Sequence, residues 1–210
     1  MNPAFVRPHR LHVAQTGLAF AVASLLAVAP SDAQSLRLTR STVVSDVDEG
    51  MGTIHTGELQ LLLPLRGSRV SARSSLSYGR TTIDRTATGN GFLWQDRSLS
   101  MFSLGLGADL VQTSRAELQI STDLLLARSR FTDVHLLSRD TRGLSGARIS
   151  VNGTWWVTAR SPIGLHAAGS MGMLKPMDKS ACIGCNGVLS DKSFRASRLA
   201  AGVAIRRPTR

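Results

Sequence analysis

Apolar and polar residues alternate at every second position along most of the chain. In residues 147–152, for example, alanine, isoleucine and valine alternate with arginine, serine and asparagine. Eight segments show the pattern, the first of them only in its opening residues: 36–44, 58–65, 70–78, 102–110, 118–126, 147–157, 163–173 and 194–206. Successive side chains of a β-strand point to opposite faces, so a period of two predicts strands rather than helices. The sequence therefore predicts an all-β fold of eight strands.

The predicted connections between these strands alternate in length. Short turns are expected at 66–68, 112–115 and 160–162, and long polar loops at 45–56, 80–98, 130–145 and 175–192. A β-barrel that spans a membrane has short turns at one end and longer loops at the other, whereas a soluble sandwich has no reason to sort its loops by end. The order favours an eight-stranded antiparallel up-and-down transmembrane β-barrel.

The first 33 residues have the features of a cleaved secretory signal peptide. Two arginines and a histidine precede an apolar run at 17–30, and small residues at Ser31 and Ala33 follow it. The run is too short to span a membrane comfortably, and no later apolar stretch approaches the roughly 20 residues of a transmembrane helix. We predict cleavage after Ala33 and one barrel domain at 34–210.

The positive charge of the chain suits an exported protein that meets anionic lipid. The formal net charge is +11, from 25 Lys and Arg against 14 Asp and Glu, and nearly all of the cations are arginine. The guanidinium group makes paired hydrogen bonds to phosphate. We expect outer-membrane lipids and lipopolysaccharide as partners, with an extracellular partner at the long loops, and no nucleic acid.

Aromatic residues fall near the predicted strand ends. Four are expected at the long-loop end and two at the tight-turn end: Tyr78, Phe102, Phe131 and Phe194, and then Trp155 and Trp156. Membrane barrels carry aromatic belts at both interfaces, so this placement favours the membrane assignment.

Together, the leader, the eight alternating strands and the alternating loop lengths resemble the small OmpA/OmpX-type outer-membrane β-barrel proteins. The resemblance covers nearly all of the chain after the leader and is architectural, without a sequence motif. It implies the cell outer membrane as the location, both termini in the periplasm, and a structural or surface-interaction role. One feature departs from such barrels, which usually end on an aromatic residue: this chain ends on Arg210.

A barrel of eight strands is just wide enough for its own side chains, so the resemblance implies a packed interior and no open pore. The strand period turns several charged residues inwards, and an unpaired buried charge is costly. We predict a structural polar network in which two arginines neutralise nearby carboxylates, with an interior histidine and with room provided by Gly105, Gly107 and Gly172. Its members are Arg73, Asp109, Glu117, Asp123, Arg148 and His166.

The sequence also leaves three further functions open. A lipid-modifying enzyme would need a catalytic cluster that faces lipid, yet the strand period points His166 and Ser170 inwards. The second function is that of a narrow channel, and the third is that of a soluble periplasmic barrel that binds a small apolar ligand. The sequence contains no motif that indicates a catalytic set, a cofactor or a metal site.

Cys182 and Cys185 form a C-x-x-C pair in the last predicted loop. Cysteines of an exported protein pass through an oxidising compartment, which favours a small disulfide here. Zinc binding would need two more ligands, and the chain has no second pair of this kind. Free thiols and a metal site are less favoured, but both stay open.

Overall fold

The computed structural model describes residues 35–45, 53–65, 68–86, 92–133, 139–177 and 193–206. Side chains are not described at 82–86, 92–95, 131–133 and 139–140. The predicted leader, the Cys182–Cys185 pair and residues 207–210 lie outside the described part of the chain, so the cleavage site, the domain boundary and the disulfide stay predictions.

The described residues form a closed barrel of eight antiparallel strands, in which each strand pairs with its sequence neighbours and β1 pairs with β8. The strands are β1 (Ser35–Ser45), β2 (Thr53–Pro64), β3 (Val70–Thr86), β4 (Phe92–Gln112), β5 (Ala116–Asp133), β6 (Arg139–Trp156), β7 (Ile163–Pro176) and β8 (Phe194–Arg206). This confirms the predicted fold class and up-and-down order. Among the described residues, no helix is long and apolar enough to cross a membrane.

The pairing register tilts the strands relative to the barrel axis. Following opposite residues once around the barrel from Leu118 leads back to β5 at Arg128, ten residues further along. Such a stagger accompanies the tilt of roughly 35–45° that closed barrels need. A row of directly opposite residues on successive strands therefore rises steadily along the barrel axis.

The two faces of the barrel differ in the way the alternation predicts. Large apolar side chains are exposed on the outside; Leu124 is 71% exposed and Leu165 is 65% exposed. The residues between them face the interior, where Gln119, Asp123 and Asn152 are each at most 3% exposed. These polar side chains are buried because the closed sheet surrounds them.

The strands on one side of the barrel extend further than the sequence predicts. β3 continues to Thr86 and β4 starts at Phe92, so most of the predicted loop at 80–98 is a paired hairpin. β5 and β6 likewise pair through most of 130–145. The sequence of these extensions is largely polar at both odd and even positions, so the alternation disappears while the backbone ladder continues. The predicted loop lengths are wrong for these two connections.

Two of the predicted belt aromatics lie inside the barrel. Trp156 is 1% exposed and Phe194 is 3% exposed, whereas Trp155 and Tyr78 are 59% and 61% exposed on the outside. Adjacent residues of a strand point to opposite faces, so Trp155 and Trp156 cannot both face lipid. The outer belts are therefore thinner than the count of aromatics suggests.

Candidate functional site

The register places a row of charged and small residues across the interior wall. Arg73 lies opposite Gly105, Gly105 opposite Asp123, Asp123 opposite Arg148, and Arg148 opposite Gly172. A Cβ atom at Gly105 would come within 2.4 Å of the Asp123 carboxylate, and one at Gly172 within 3.3 Å of the Arg148 Cβ. The two glycines make room for the charges between them, as the sequence predicts.

Asp123 joins two arginines from different strands. Arg148 donates hydrogen bonds from Nε and Nη2 to Asp123 Oδ2 at 3.1 and 3.0 Å. Arg73 Nε lies 4.0 Å from Asp123 Oδ1, and Arg73 Nη2 donates to Asn152 Oδ1 at 3.3 Å. The Asp123 side chain is 1% exposed, so this ionic contact lies away from bulk solvent.

Glu58 extends the same cluster to a third arginine. Its carboxylate lies 3.7 Å from Arg148 Nη2 and forms an ion pair with Arg198. The Glu58 side chain is fully buried, and the Arg198 side chain is 9% exposed. The central cluster thus holds Arg73, Arg148 and Arg198 around two carboxylates.

A second cluster lies towards the short-turn end of the barrel. Arg37 Nη2 lies 3.8 Å from Glu117 Oε2, and Arg37 Nη1 donates to Gln60 Oε1 at 3.4 Å. Trp156 Nε1 donates to Glu117 Oε1 at 2.9 Å. The guanidinium carbon of Arg206 lies 4.2 Å from the centroid of the Trp156 ring, in a cation–π contact. These contacts tie the last residue of β8 to the interior of β5 and β6.

Asp109 and His166 have local partners rather than an arginine. Gln119 Nε2 donates to Asp109 Oδ1 at 2.9 Å, beside a bond of the same length to Ser71 Oγ. His166 Nδ1 and Thr154 Oγ1 are hydrogen-bonded at 3.1 Å. His166 is 4% exposed in the interior.

The sequence and the structure differ in how the network is connected. Both predicted arginines contact Asp123, but Glu117 pairs with Arg37 and Asp109 with Gln119. The sequence reasoning missed Arg37, Glu58 and Arg198. Each lies next to an outward-facing leucine on its strand, so the alternation of apolar and polar residues could have identified all three as inward-facing.

Beyond the ionic clusters, towards the long-loop end, the interior becomes apolar. The buried side chains of this layer are Ile54, Leu99, Met101, Leu125, Ala127, Leu144, Leu174 and Phe194. A small cavity of about 20 Å³ lies where the layer meets Arg148 and Arg198, about the space of one water molecule. The expectation of a polar interior therefore does not hold over the whole barrel.

The buried ion pairs of the described interior connect different strands. Among the described residues, no group of three or more His, Cys, Asp or Glu could hold a metal ion. Removing one partner of a buried ion pair typically costs about 3–5 kcal/mol, because the other charge stays buried. The arrangement can join strands that are distant in sequence and fill the barrel.

No protein-family model matches this sequence, and no curated protein matches it. Among solved structures, the chain is similar to Neisserial surface protein A, with a TM-score of 0.53, 13% identity, and coverage of 83% of this chain and 96% of that chain. Ail, the attachment invasion locus protein of Yersinia pestis, has a TM-score of 0.47 at 12% identity, covering 82% of this chain and 97% of its own. At such identities the similarity concerns the fold: the chain has the fold of the small eight-stranded outer-membrane β-barrels.

Proposed function

We propose that the protein is a small bacterial outer-membrane β-barrel with a structural or surface-interaction role and a filled interior. The observation that carries this proposal is the reversal of faces, with exposed leucine outside and buried arginine and carboxylate inside. A soluble protein would place the apolar face on its core. A barrel in a bilayer has hydrocarbon around it and needs the polar side within.

The interior contacts support a barrel without an open pore. The ionic clusters around Asp123 and Glu117 fill the inner part, and the apolar layer with Leu99 and Phe194 fills the part beyond them. A hydrated path would have to cross both. We therefore infer that the interior stabilises the closed barrel and does not conduct ions.

The unequal strand lengths support a role at the surface. β3, β4, β5 and β6 have 17, 21, 18 and 18 residues, whereas β1, β2, β7 and β8 have 11, 12, 14 and 13. The pairing of β2 with β3 is described only as far as Gly79, while β3 and β4 pair up to Thr86. Four strands thus stand beyond the others at the long-loop end, where a partner outside the membrane would meet them.

Fractionation of cells that express the full chain tests the location. We expect the protein in the outer-membrane fraction, and we expect unheated and boiled samples to migrate differently on a gel because the closed barrel resists detergent. A protein that stays in the soluble periplasmic fraction without detergent would contradict the proposal and favour a soluble barrel that binds an apolar ligand.

Recording in planar lipid bilayers tests the filled interior. We expect no discrete conductance steps from the purified, heat-modifiable protein. Steps that recur with the same amplitude in independent preparations would favour a narrow channel over the structural role.

A further inference from the structure

A trough crosses the outer face of five strands. Gly153, Ala167, Ala201, Arg40 and Gly57 lie side by side on β6, β7, β8, β1 and β2. They share the face that carries the exposed apolar side chains. The depression over Gly153, Ala167, Ala201 and Arg40 has a volume of about 760 Å³ and extends to His55 on β2.

Larger apolar side chains flank this row on the outer face. On the short-turn side stand Trp155, Leu165 and Leu38, which are 59%, 65% and 62% exposed. On the other side stands Leu199, which is 74% exposed. These flanking residues lie two positions to either side of the row. The strip between them, which we call the floor, has room for a single extended hydrocarbon chain.

The glycines of the trough are not required by the packing of the barrel. The nearest atom to a Cβ at Gly153 would be 3.9 Å away, and the nearest to one at Gly169, which also lines the trough, would be 3.8 Å away. In contrast, a Cβ at the inward-facing Gly202 would lie 2.0 Å from the carbonyl oxygen of Leu38. Glycine weakens a strand, so its use at two open positions points to something that occupies the space outside.

Arg40 places a positive charge on the floor of this trough. It is an exposed residue in the middle of β1, between Leu38 and Val44, which are 62% and 49% exposed. Within the described part of the chain, no carboxylate forms an ion pair with its guanidinium group. A charge in the apolar belt of a barrel is unfavourable unless an anion accompanies it.

Two further polar groups lie next to Arg40 on the long-loop side. Thr42 is two residues along β1, and its Oγ1 lies 3.1 Å from Nδ1 of His55 on the neighbouring strand. Both residues also line the trough. One end of the floor is therefore polar and cationic, and the rest, from Ala201 to Gly153, is apolar.

We propose that the trough binds one phospholipid, with an acyl chain along the floor and the phosphate on Arg40 beside Thr42 and His55. This inference rests on the proposed location in a membrane. A guanidinium group binds phosphate through paired, charge-assisted hydrogen bonds. A second copy of the chain fits less well, because among the described residues the outward carboxylate, Asp96, already pairs with Arg80.

Native mass spectrometry of the full chain in mild detergent tests the proposal, with phosphatidylglycerol as the probe and the matching diacylglycerol as the phosphate-free comparison. We expect the protein to retain one phosphatidylglycerol. Arg40→Leu should lower that retention roughly tenfold, the effect of losing one charge-assisted contact. Gly153→Val should lower retention of both lipids, because it fills the floor without a clash.

Matched controls are Arg128→Leu and Thr122→Val, which alter exposed residues of β5 away from the trough. Both should retain lipid like the unaltered protein. Equal lipid retention in all four variants would overturn the proposal. So would a lipid-free dimer that becomes a monomer in Gly153→Val, because a second copy of the chain would then occupy the trough. Heat-modifiable migration of every variant separates these outcomes from failure of the membrane assignment itself.

Discussion

At the scale of single residues, the carboxylates of the interior differ in how much the barrel depends on them. Glu58 is 1% exposed and contacts both Arg148 and Arg198, whereas the Glu117 side chain is 21% exposed and contacts Arg37. Removing a buried charge leaves its partners without compensation. The cost of neutralising each acid should follow its burial and the number of its arginine partners.

We expect Glu58→Gln to lower the free energy of unfolding by about 3–5 kcal/mol, because two buried guanidinium groups lose their counter-charge. Glu117→Gln should cost less, about 1–2 kcal/mol, because Arg37 loses one carboxylate but keeps its hydrogen bond to Gln60, and a glutamine oxygen can still accept from Trp156. Urea titration of the barrel refolded into lipid vesicles measures both. Equal effects would show that the two acids are equivalent and that burial does not set their importance.

At the scale of the strands, the contact between β1 and β8 turns a sheet into a barrel. Leu38 lies opposite Val203 in this pairing, and both side chains face outwards. Since successive residues change face, a slip by one residue would move Arg37 and Arg198 out of the interior. The buried ion pairs therefore help to fix the register of closure.

Cysteines at Leu38 and Val203 should form a disulfide on oxidation, in a background where Cys182 and Cys185 are serine. Directly opposite residues have the Cα separation that a disulfide needs. The measurement is the shift of the denatured, unreduced protein on a gel. Leu38 combined with Leu199 is the matched control, and a bond in that variant instead would show a different register.

At the scale of the whole molecule, the two adjacent tryptophans report which face meets lipid. Trp155 is 59% exposed and Trp156 is 1% exposed. Bromine atoms on lipid chains quench the fluorescence of tryptophans that they contact. In a background where the third tryptophan, Trp94, is phenylalanine, we expect strong quenching in brominated vesicles, most of it lost in Trp155→Phe and retained in Trp156→Phe. The opposite result would place the apolar face away from lipid.

Much of this architecture can be predicted from the sequence because a period of two reports directly on which face each residue takes. The eight strands and the inward positions of Arg73, Asp123 and Arg148 follow from it. The extent of β3 to β6 could not be predicted, because the sequence of the extensions is largely polar at both odd and even positions and the alternation is lost. The ion-pair partners could not be predicted either: which acid meets Arg148 depends on register and stagger, and the period alone contains neither.

The unequal heights of the two sides have a consequence for access. The long strands β3 to β6 rise on one flank, and most of the trough lies on the other, along β7, β8, β1 and β2. A partner bound to the long strands from outside would leave most strands of the trough uncovered. The proposed surface partner and the proposed phospholipid would thus contact mostly different strands and would not compete.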